Sequence, residues 1–447
     1  MRFSGAFAGR FGPASAGLGA GDSAFFWLWL GQAVSAFGSR ITTVAMPLLA
    51  VGLLGASPAE MGVLAALGVL PHLLFGLLAG VWVDRWPRRR LLVVADLGRA
   101  CVVGSVPLLG LAGLLRIEHL YVVAFLSGLL SLLFEVAAAS LVPALVGRAS
   151  LVQANSALLL NGTLASTVGP SLGGSLVQVL TAPLAIAFDA ASFVVSAVCS
   201  LRMRVHDEPA DRGAGRADAS VSVAVPPLAP AVDTPQPTAT GLRSEALAGL
   251  RVLFGHPVLA PIVVSATLGA GAGAMQAALL VVYLVRDLGL APAAVGLAMA
   301  TTGLAAIVGA LAAPAVIQRL GPGPSYLIGG LLAGLAGLLL AAAQGPPALV
   351  TVWLLAGQVA AGVGPSLYSV PQTTLRQSLV PDHLLGRANA AWRFLVFGVQ
   401  PLGAIAGGTL GSTIGVRSTL VVASLGTLLA CLYALRSPVR TVRTLPH

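Results

Sequence analysis

The sequence predicts an all-α integral membrane protein, with twelve transmembrane helices arranged as two pseudo-symmetric six-helix bundles. Three observations carry this prediction. Apolar residues fill 57% of 447 positions, charged residues only 9%, and mean hydropathy is +0.93. Soluble chains carry roughly 25% charge to clothe their exterior, so most of this chain is solvated by lipid. Apolar runs extend for some twenty residues or more without the alternation of barrel strands. In lipid such runs must be helices, and about 20 residues cross a core of about 30 Å. Finally, the second half repeats the first: Ser57-Pro58-Ala59-Glu60-Met61-Gly62 is matched 234 residues on by Ala291-Pro292-Ala293-Ala294-Val295-Gly296. Arg148 to Asn155 and Gly173-Gly174 are likewise echoed in Arg387-Ala388-Asn389 and Gly407-Gly408. Repeats of six spans run parallel, as in carriers that rock two halves about a central site.

Taken in order, spans are expected near 26–53, 61–83, 91–115, 120–142, 154–180 and 184–201. A second set follows near 258–285, 294–317, 325–343, 348–374, 388–414 and 417–435. These imply a tail over 1–24, a bundle over 25–201, a linker over 202–257, a second bundle over 258–436 and a tail over 437–447. Residues 202–240 lose their hydrophobicity and fill with Pro, Ala, Asp, Arg, Ser and Thr, the composition of a disordered tether. Leu242, Leu247, Leu250, Leu253 and Phe254, interleaved with Arg243, Glu245 and Arg251, then read as a short amphipathic helix on the membrane surface.

The net charge of +10 resembles that of a nucleic-acid binder, but the arginines sit in the short joints between apolar runs, where they act as topology signals. About nineteen fall on the tails and the loops after spans 2, 4, 6, 8 and 10, against Arg116, Arg286 and Arg417 on the other side. Both termini are therefore expected in the cytoplasm, with the chain multi-pass in the inner membrane. Nucleic acid is not expected as a partner. Lysine is absent, which excludes a nucleotide-binding P-loop. The first 24 residues lack the apolar core of a secretory signal, so the first span is expected to do the targeting. Cys101, Cys199 and Cys431 each lie within an apolar run and read as small core residues. No spacing suits a metal, and no cofactor is expected.

Between spans 2 and 3 stands Gly80-Val81-Trp82-Val83-Asp84-Arg85-Trp86-Pro87-Arg88-Arg89-Arg90. It resembles the signature loop of the major facilitator superfamily. Asp96-Leu97-Gly98-Arg99, Gly169-Pro170 with Gly173-Gly174, Phe188-Asp189-Ala190-Ala191-Ser192-Phe193 and Gly386 to Phe394 are similar to the branch holding the enterobactin exporter and macrolide-efflux proteins. The resemblance implies the major facilitator fold, and a gate in which Gly80, Asp84, Arg85 and Arg88, with Glu135 as an acid from another helix, lock one conformation. In the second half Pro314 and Gln318 replace the glycine and aspartate of the loop, so gating by the motif belongs to the first half. The alternative for the basic run is a topology signal alone.

Ionisable residues inside spans are costly and functional suspects by default. They are Arg40, His72, Asp96, Arg99, Glu135, Asp189 and Arg393. Asp96 and Arg99 share a helical face, and Arg99 and Glu135 lie at similar depth, so Glu135 is expected to meet either Arg99 or the loop arginines. Asp189 suits a transport role or a hydrogen bond with a neighbour such as Ser192. His72 suits a packing role more than a proton relay. Gln32, Gln276, Gln358 and Gln400 line a cavity or bridge helices. Gly68, Gly76 and Gly80, like Gly162, Gly169 and Gly173, read as close-packing faces. Arg40 lies at the centre of span 1, about 20 Å from either end by helical rise, and must face the interior or a wet cavity. Its expected partner is an anionic group on the substrate or a coupling carboxylate, the alternative being an internal ion pair.

The expected function is secondary active export of a small hydrophobic or amphiphilic molecule, an antibiotic or siderophore, by alternating access and in exchange for protons. The direction and substrate type come from the resemblance. The protein is expected to work as a monomer in the bilayer and not as an enzyme, for want of any acid/base or metal constellation. Two alternatives remain: an uncoupled facilitator of the same fold, and a polytopic sensor or assembly factor that transports nothing.

Overall fold

The computed structural model describes residues 24–146, 150–203 and 242–443. The tail expected before residue 24, the tether over 204–241 and the side chain of Asp84 lie outside the described residues. Those described form twelve long helices and no strand. The first six are α1 (Ala24–Gly52), α2 (Pro58–Arg85), α3 (Arg88–Leu111), α4 (Ile117–Val146), α5 (Leu151–Val179) and α6 (Ala182–Arg202). A short α7 (Leu242–Gly255) precedes α8 (Leu259–Val282), which runs into a π-turn over Tyr283–Asp287. Then come α9 (Pro292–Leu320), α10 (Pro322–Ala341), α11 (Pro347–Leu379), α12 (Asp382–Thr413) and α13 (Val416–Leu435). Eleven of the twelve are long and apolar enough to cross a membrane. The other, α5, is as long at 29 residues but spreads Gln153, Asn155, Asn161, Thr163 and Thr167 along its length.

Helix starts follow from local chemistry. Ser57 caps α2 in a reciprocal box: its hydroxyl accepts the Glu60 N–H at 3.3 Å, and the Glu60 carboxylate accepts the Ser57 N–H at 2.7 Å. Pro58 follows at the first helical position, where its missing N–H costs nothing. At the equivalent start of α9 the side-chain cap is absent, and Gln178 of α5 accepts the Ala293 N–H at 3.1 Å instead.

Within the first half, α1 packs on α5 and α6, α3 on α4 and α6, and α2 on α4. The second half repeats this, with α8 on α12 and α13, α10 on α11 and α13, and α9 on α11. The halves meet chiefly where α2 crosses α12 and α5 crosses α9. Both crossings are made of glycine. A methyl group on Gly62 would lie 2.6 Å from the Ala404 carbonyl and 2.8 Å from Gly408, and one on Gly174 would lie 2.9 Å from Gly296. With no Cβ in the way the backbones approach until van der Waals contact holds them.

The apolar cores show which face is closed. At the face where α1 ends and α2 begins, one core runs through both halves, joining Leu49, Met61, Leu120 and Ile186 to Leu279, Val295, Leu354 and Leu420. At the opposite face, where α1 begins and α13 ends, there are two separate cores. One holds Leu28, Leu92, Phe134 and Leu141, the other Leu259, Tyr326, Leu375 and Trp392. The halves are thus sealed at the far face and part toward the terminal face.

Three expectations are corrected. The amphipathic α7 is not simply laid on a membrane surface: Gly249 sits on the backbone of Arg387 in α12, and Leu253 is fully buried in one apolar cluster with Ala388, Ala391 and Trp392 of that helix, because its apolar side finds a protein partner there. Cys101 is exposed on the outside of α3, while Cys199 and Cys431 are buried as expected. The glycine stripes also divide. Gly169 packs against Arg40, and Gly173 against Ile41 and Val44, whereas a Cβ on Gly68, Gly76, Gly80 or Gly162 would meet nothing within 4 Å, so no neighbour among the described residues demands a glycine there.

Candidate functional site

Several of the suspect residues converge in the first half. On α3 the Arg99 guanidinium donates to Asp96, one turn back on the same face. The guanidinium lies between two rings, Phe134 of α4 at 4.5 Å and Phe193 of α6 at 4.3 Å. Cation–π contact with both rings offsets part of its desolvation. Asp189 of α6 is 2% exposed, with the Ser192 hydroxyl 3.3 Å from its carboxylate and Ser39 and Thr42 of α1 alongside. A Cβ on Gly38 would fall 2.6 Å from that carboxylate, so glycine is what lets α1 approach it. Arg99 is near enough to Asp189 and Glu135 to attract both. One oxygen of Asp96 and the Arg99 Nε have no partner among the described residues.

Glu135 meets neither of its two expected partners in a hydrogen bond. Its carboxylate lies 3.9 Å from Nε2 of His72, with the Glu135 side chain 68% exposed and that of His72 30%. His72 Nδ1 is unpartnered among the described residues. The loop arginines turn to backbone instead. Arg88 donates to the Ser140 carbonyl at 3.0 Å, and Arg89 to the Ser200 carbonyl at 3.1 Å and to that of Leu201. Ser200 and Leu201 end α6, where carbonyls have no helical donor and cations are favoured. These contacts all stay within the first half. Arg85 is exposed, and Gly80 faces open space.

Arg40, Arg393 and Gln32 are not part of the cluster. Arg40 is exposed, with no ion pair or hydrogen bond to the described residues, and its Cβ lies against Gly169 of α5. Helical periodicity sets it on the face of Thr43 and Pro47, which border a cavity. Arg393 is exposed on α12, 5.7 Å over the Phe397 ring. Gln32 is half-buried; its main-chain carbonyl accepts from the Ser35 hydroxyl at 3.4 Å, and its side chain makes no hydrogen bond among the described residues.

Two cavities flank α8. The larger, about 440 Å³, lies between the halves and is walled by Ser39, Thr42 and Thr43 of α1, Ser127 and Ser131 of α4, Asp189 and Phe193 of α6, and Ala277 and Ala278 of α8. The smaller, about 260 Å³, lies among α8, α10, α11 and α13, and Ala277 borders it too. Its polar groups are Ser265, Gln276, Tyr326, Gln358, Tyr368 and Thr427. Of the two expected glutamine roles, Gln358 serves both, lining the chamber and donating to the Ala298 carbonyl of α9 at 2.8 Å. Sequence reasoning missed Ser265, Tyr326 and Tyr368. The repeat was the available signal, since Tyr368 stands 234 residues after Phe134. Among the described residues no three His, Cys, Asp or Glu side chains are grouped to hold a metal ion.

A family model described as Major Facilitator Superfamily matches residues 28–281 and 262–446. The chain is 27% identical over 407 residues to the multidrug efflux pump Tap of Mycolicibacterium fortuitum, covering 90% of this chain and 92% of that protein. It is 29% identical over 346 residues to the enterobactin exporter EntS of Citrobacter koseri, covering 75% and 73%. Among solved structures, a bacterial homologue of the iron transporter ferroportin superposes with a TM-score of 0.69 at 18% identity, over 92% of this chain and 98% of that one. The nucleoside transporter NupG gives 0.72 at 12% identity, over 92% and 98%.

Proposed function

The chain belongs to the Major Facilitator Superfamily, and from that premise we propose that it exports a small amphiphilic molecule by alternating access, driven by protons. The observation that carries this reading is the packing of the halves: one core shared across the far face, two separate cores at the terminal face, and a cavity of about 440 Å³ between them with Asp189 in its wall. Rocking about the glycine crossings would open the far face and close the other. The likeness to exporters of drugs and of a siderophore supports the outward direction. The arginine bias supports cytoplasmic termini and hence a cavity loaded from inside. The chain works as a monomer on this reading.

Asp189 is the proposed proton-exchanging group, because among the described residues it is the one carboxylate lining the cavity, and it is also within reach of a buried guanidinium. A charge lost or gained there changes the pull on Arg99, and so on α3 and α6 together. Arg40 is the proposed contact for an anionic or strongly polar group of the substrate. Asp84 is proposed to act in gating, so Asp84→Asn is expected to lower transport far more than abundance. The deciding experiment uses everted vesicles challenged with antibiotics and siderophores, reading collapse of the pH gradient. Wild type is expected to collapse it with some members of the panel and Asp189→Asn with none, at equal abundance. Export that leaves the gradient untouched would point to the uncoupled facilitator, and no export at all to the non-transporting alternative.

A further inference from the structure

The smaller cavity occupies the place in the second half that the charge cluster fills in the first. Gly330, Ala333, Tyr368 and Thr427 stand 234 residues after Asp96, Arg99, Phe134 and Phe193, and all four line the chamber. Gln276 and Gly273 likewise correspond to Thr42 and Ser39, and line it too. Where the first half inserts a guanidinium and its carboxylate, the second half has a methyl group and a hydrogen. One ring of the aromatic pair is kept as Tyr368, and the other is cut back to Thr427. The chamber is therefore the volume of the missing ion pair and ring.

We infer that this chamber is a binding subsite for an uncharged, ring-bearing part of the transported molecule. Its lining includes no charged residue, so a charged group would enter it at the full cost of desolvation. Its walls are nevertheless not those of a dry packing void, which would be apolar throughout. Ser265 and the Tyr326 hydroxyl are 2.6 Å apart, and the Tyr326 and Tyr368 rings meet edge to face at 6.1 Å. Gln276 donates to Ser424 at 3.2 Å, and its carbonyl takes no hydrogen bond from the described residues, nor is the Tyr368 hydroxyl engaged by them. The chamber thus offers a flat aromatic wall, a free acceptor and a free hydroxyl, a small set of polar groups on an apolar surface. At about 260 Å³ it falls just short of a site for a whole drug-sized ligand, roughly 300 to 1,000 Å³, and takes one ring system with a carbonyl or hydroxyl. The rest of the molecule would reach past Ala277 into the larger cavity, which Ala277 also borders.

This inference rests on the export reading, and its test separates the two. A Cβ on Gly273, which lines the chamber, meets nothing within 4 Å, so Gly273→Leu starts a side chain there without a clash at its first carbon and narrows the chamber. The full-length protein in proteoliposomes is assayed for export of Nile red and dansylamide, both uncharged and ring-bearing, with binding of each probe measured by its fluorescence. Gly273→Leu is expected to raise KM and Kd about tenfold or more with kcat little changed, as filling an apolar pocket does. Gly273→Ala should stay near wild type, and Ala333→Ile, from the opposite wall, should repeat the effect. Folded Gly273→Leu and Ala333→Ile proteins with wild-type KM and Kd would overturn the subsite. A wild-type protein that neither binds nor exports either probe would overturn it as well, and siderophore-driven collapse of the pH gradient by the same preparation would then leave the export reading standing.

Discussion

The two halves share one scaffold and differ at its interior. In the first, the space enclosed by α1, α3, α4 and α6 is filled by the Asp96–Arg99 pair, the two phenylalanines and Asp189. In the second, the equivalent space among α8, α10, α11 and α13 is left open by Gly330 and Ala333. The terminal face differs in the same sense. Arg88 and Arg89 tie the first half together through main-chain carbonyls, whereas the second half, besides the Arg376–Asn389 hydrogen bond at 2.8 Å, uses the chain after α13, which returns so that the Gly323 N–H donates to the Val442 carbonyl at 3.0 Å beside a fully buried Val439. The difference teaches that a repeated helix-packing frame does not oblige its halves to share a task. On our reading the first half handles charge, and the second accommodates the uncharged part of the cargo.

The largest break expected in this comparison comes from Arg99→Ala. Removing the guanidinium leaves Asp96 buried without a counter-charge, which costs about 3 to 5 kcal/mol where one partner of a buried pair is lost. Folded yield and thermal unfolding in detergent should both fall sharply. Replacing Asp96 and Arg99 together with leucine should be milder, and a single variant as stable as wild type would show that the pair is not compensating anything. The converse experiment puts charge where the second half has none. Ala333→Arg alone should cost about 2.5 to 3.5 kcal/mol on insertion scales and lower abundance. Adding Gly330→Asp should recover part of that loss by recreating the pair of the first half, and a double variant no better than the single would break the correspondence.

Smaller effects test the faces. Gly174→Leu forces a side chain into the α5–α9 crossing, where overpacking costs about 1 to 3 kcal/mol and should hold the far face apart. At Gly162, on the same helix but toward the terminal face, a Cβ would meet nothing within 4 Å, so Gly162→Leu should cost far less stability and the unfolding midpoints of the two should separate clearly. A similarly small effect on stability is expected for Arg40→Gln. Without a protein partner to lose, unfolding should change by no more than about 0.5 kcal/mol, while export of anionic probes should fall and that of uncharged ones persist. A marked drop in unfolding temperature would favour the internal ion pair instead.

Much of the architecture was legible in the residues, and for a plain reason. Lipid satisfies no backbone group, so each long apolar run had to be a helix, and the expected spans 26–53 and 417–435 became Ala24–Gly52 and Val416–Leu435. The same pressure made Asp96, Arg99, Glu135, Asp189 and His72 conspicuous one by one, because an ionisable residue in an apolar run has a cost that needs explaining. Apolar periodicity does not say which helix faces which, however. That the Arg99 guanidinium would lie between Phe134 and Phe193, with Asp189 arriving from α6 and Glu135 turned to His72 of α2, was decided by how α1, α2, α3, α4 and α6 pack. The chamber of the second half was hidden more deeply still. It is built from glycine and alanine, which look in sequence like any close-packing stripe. Only the tertiary structure distinguishes a glycine such as Gly62, pressed against a neighbouring backbone, from one such as Gly273, which leaves room for something else.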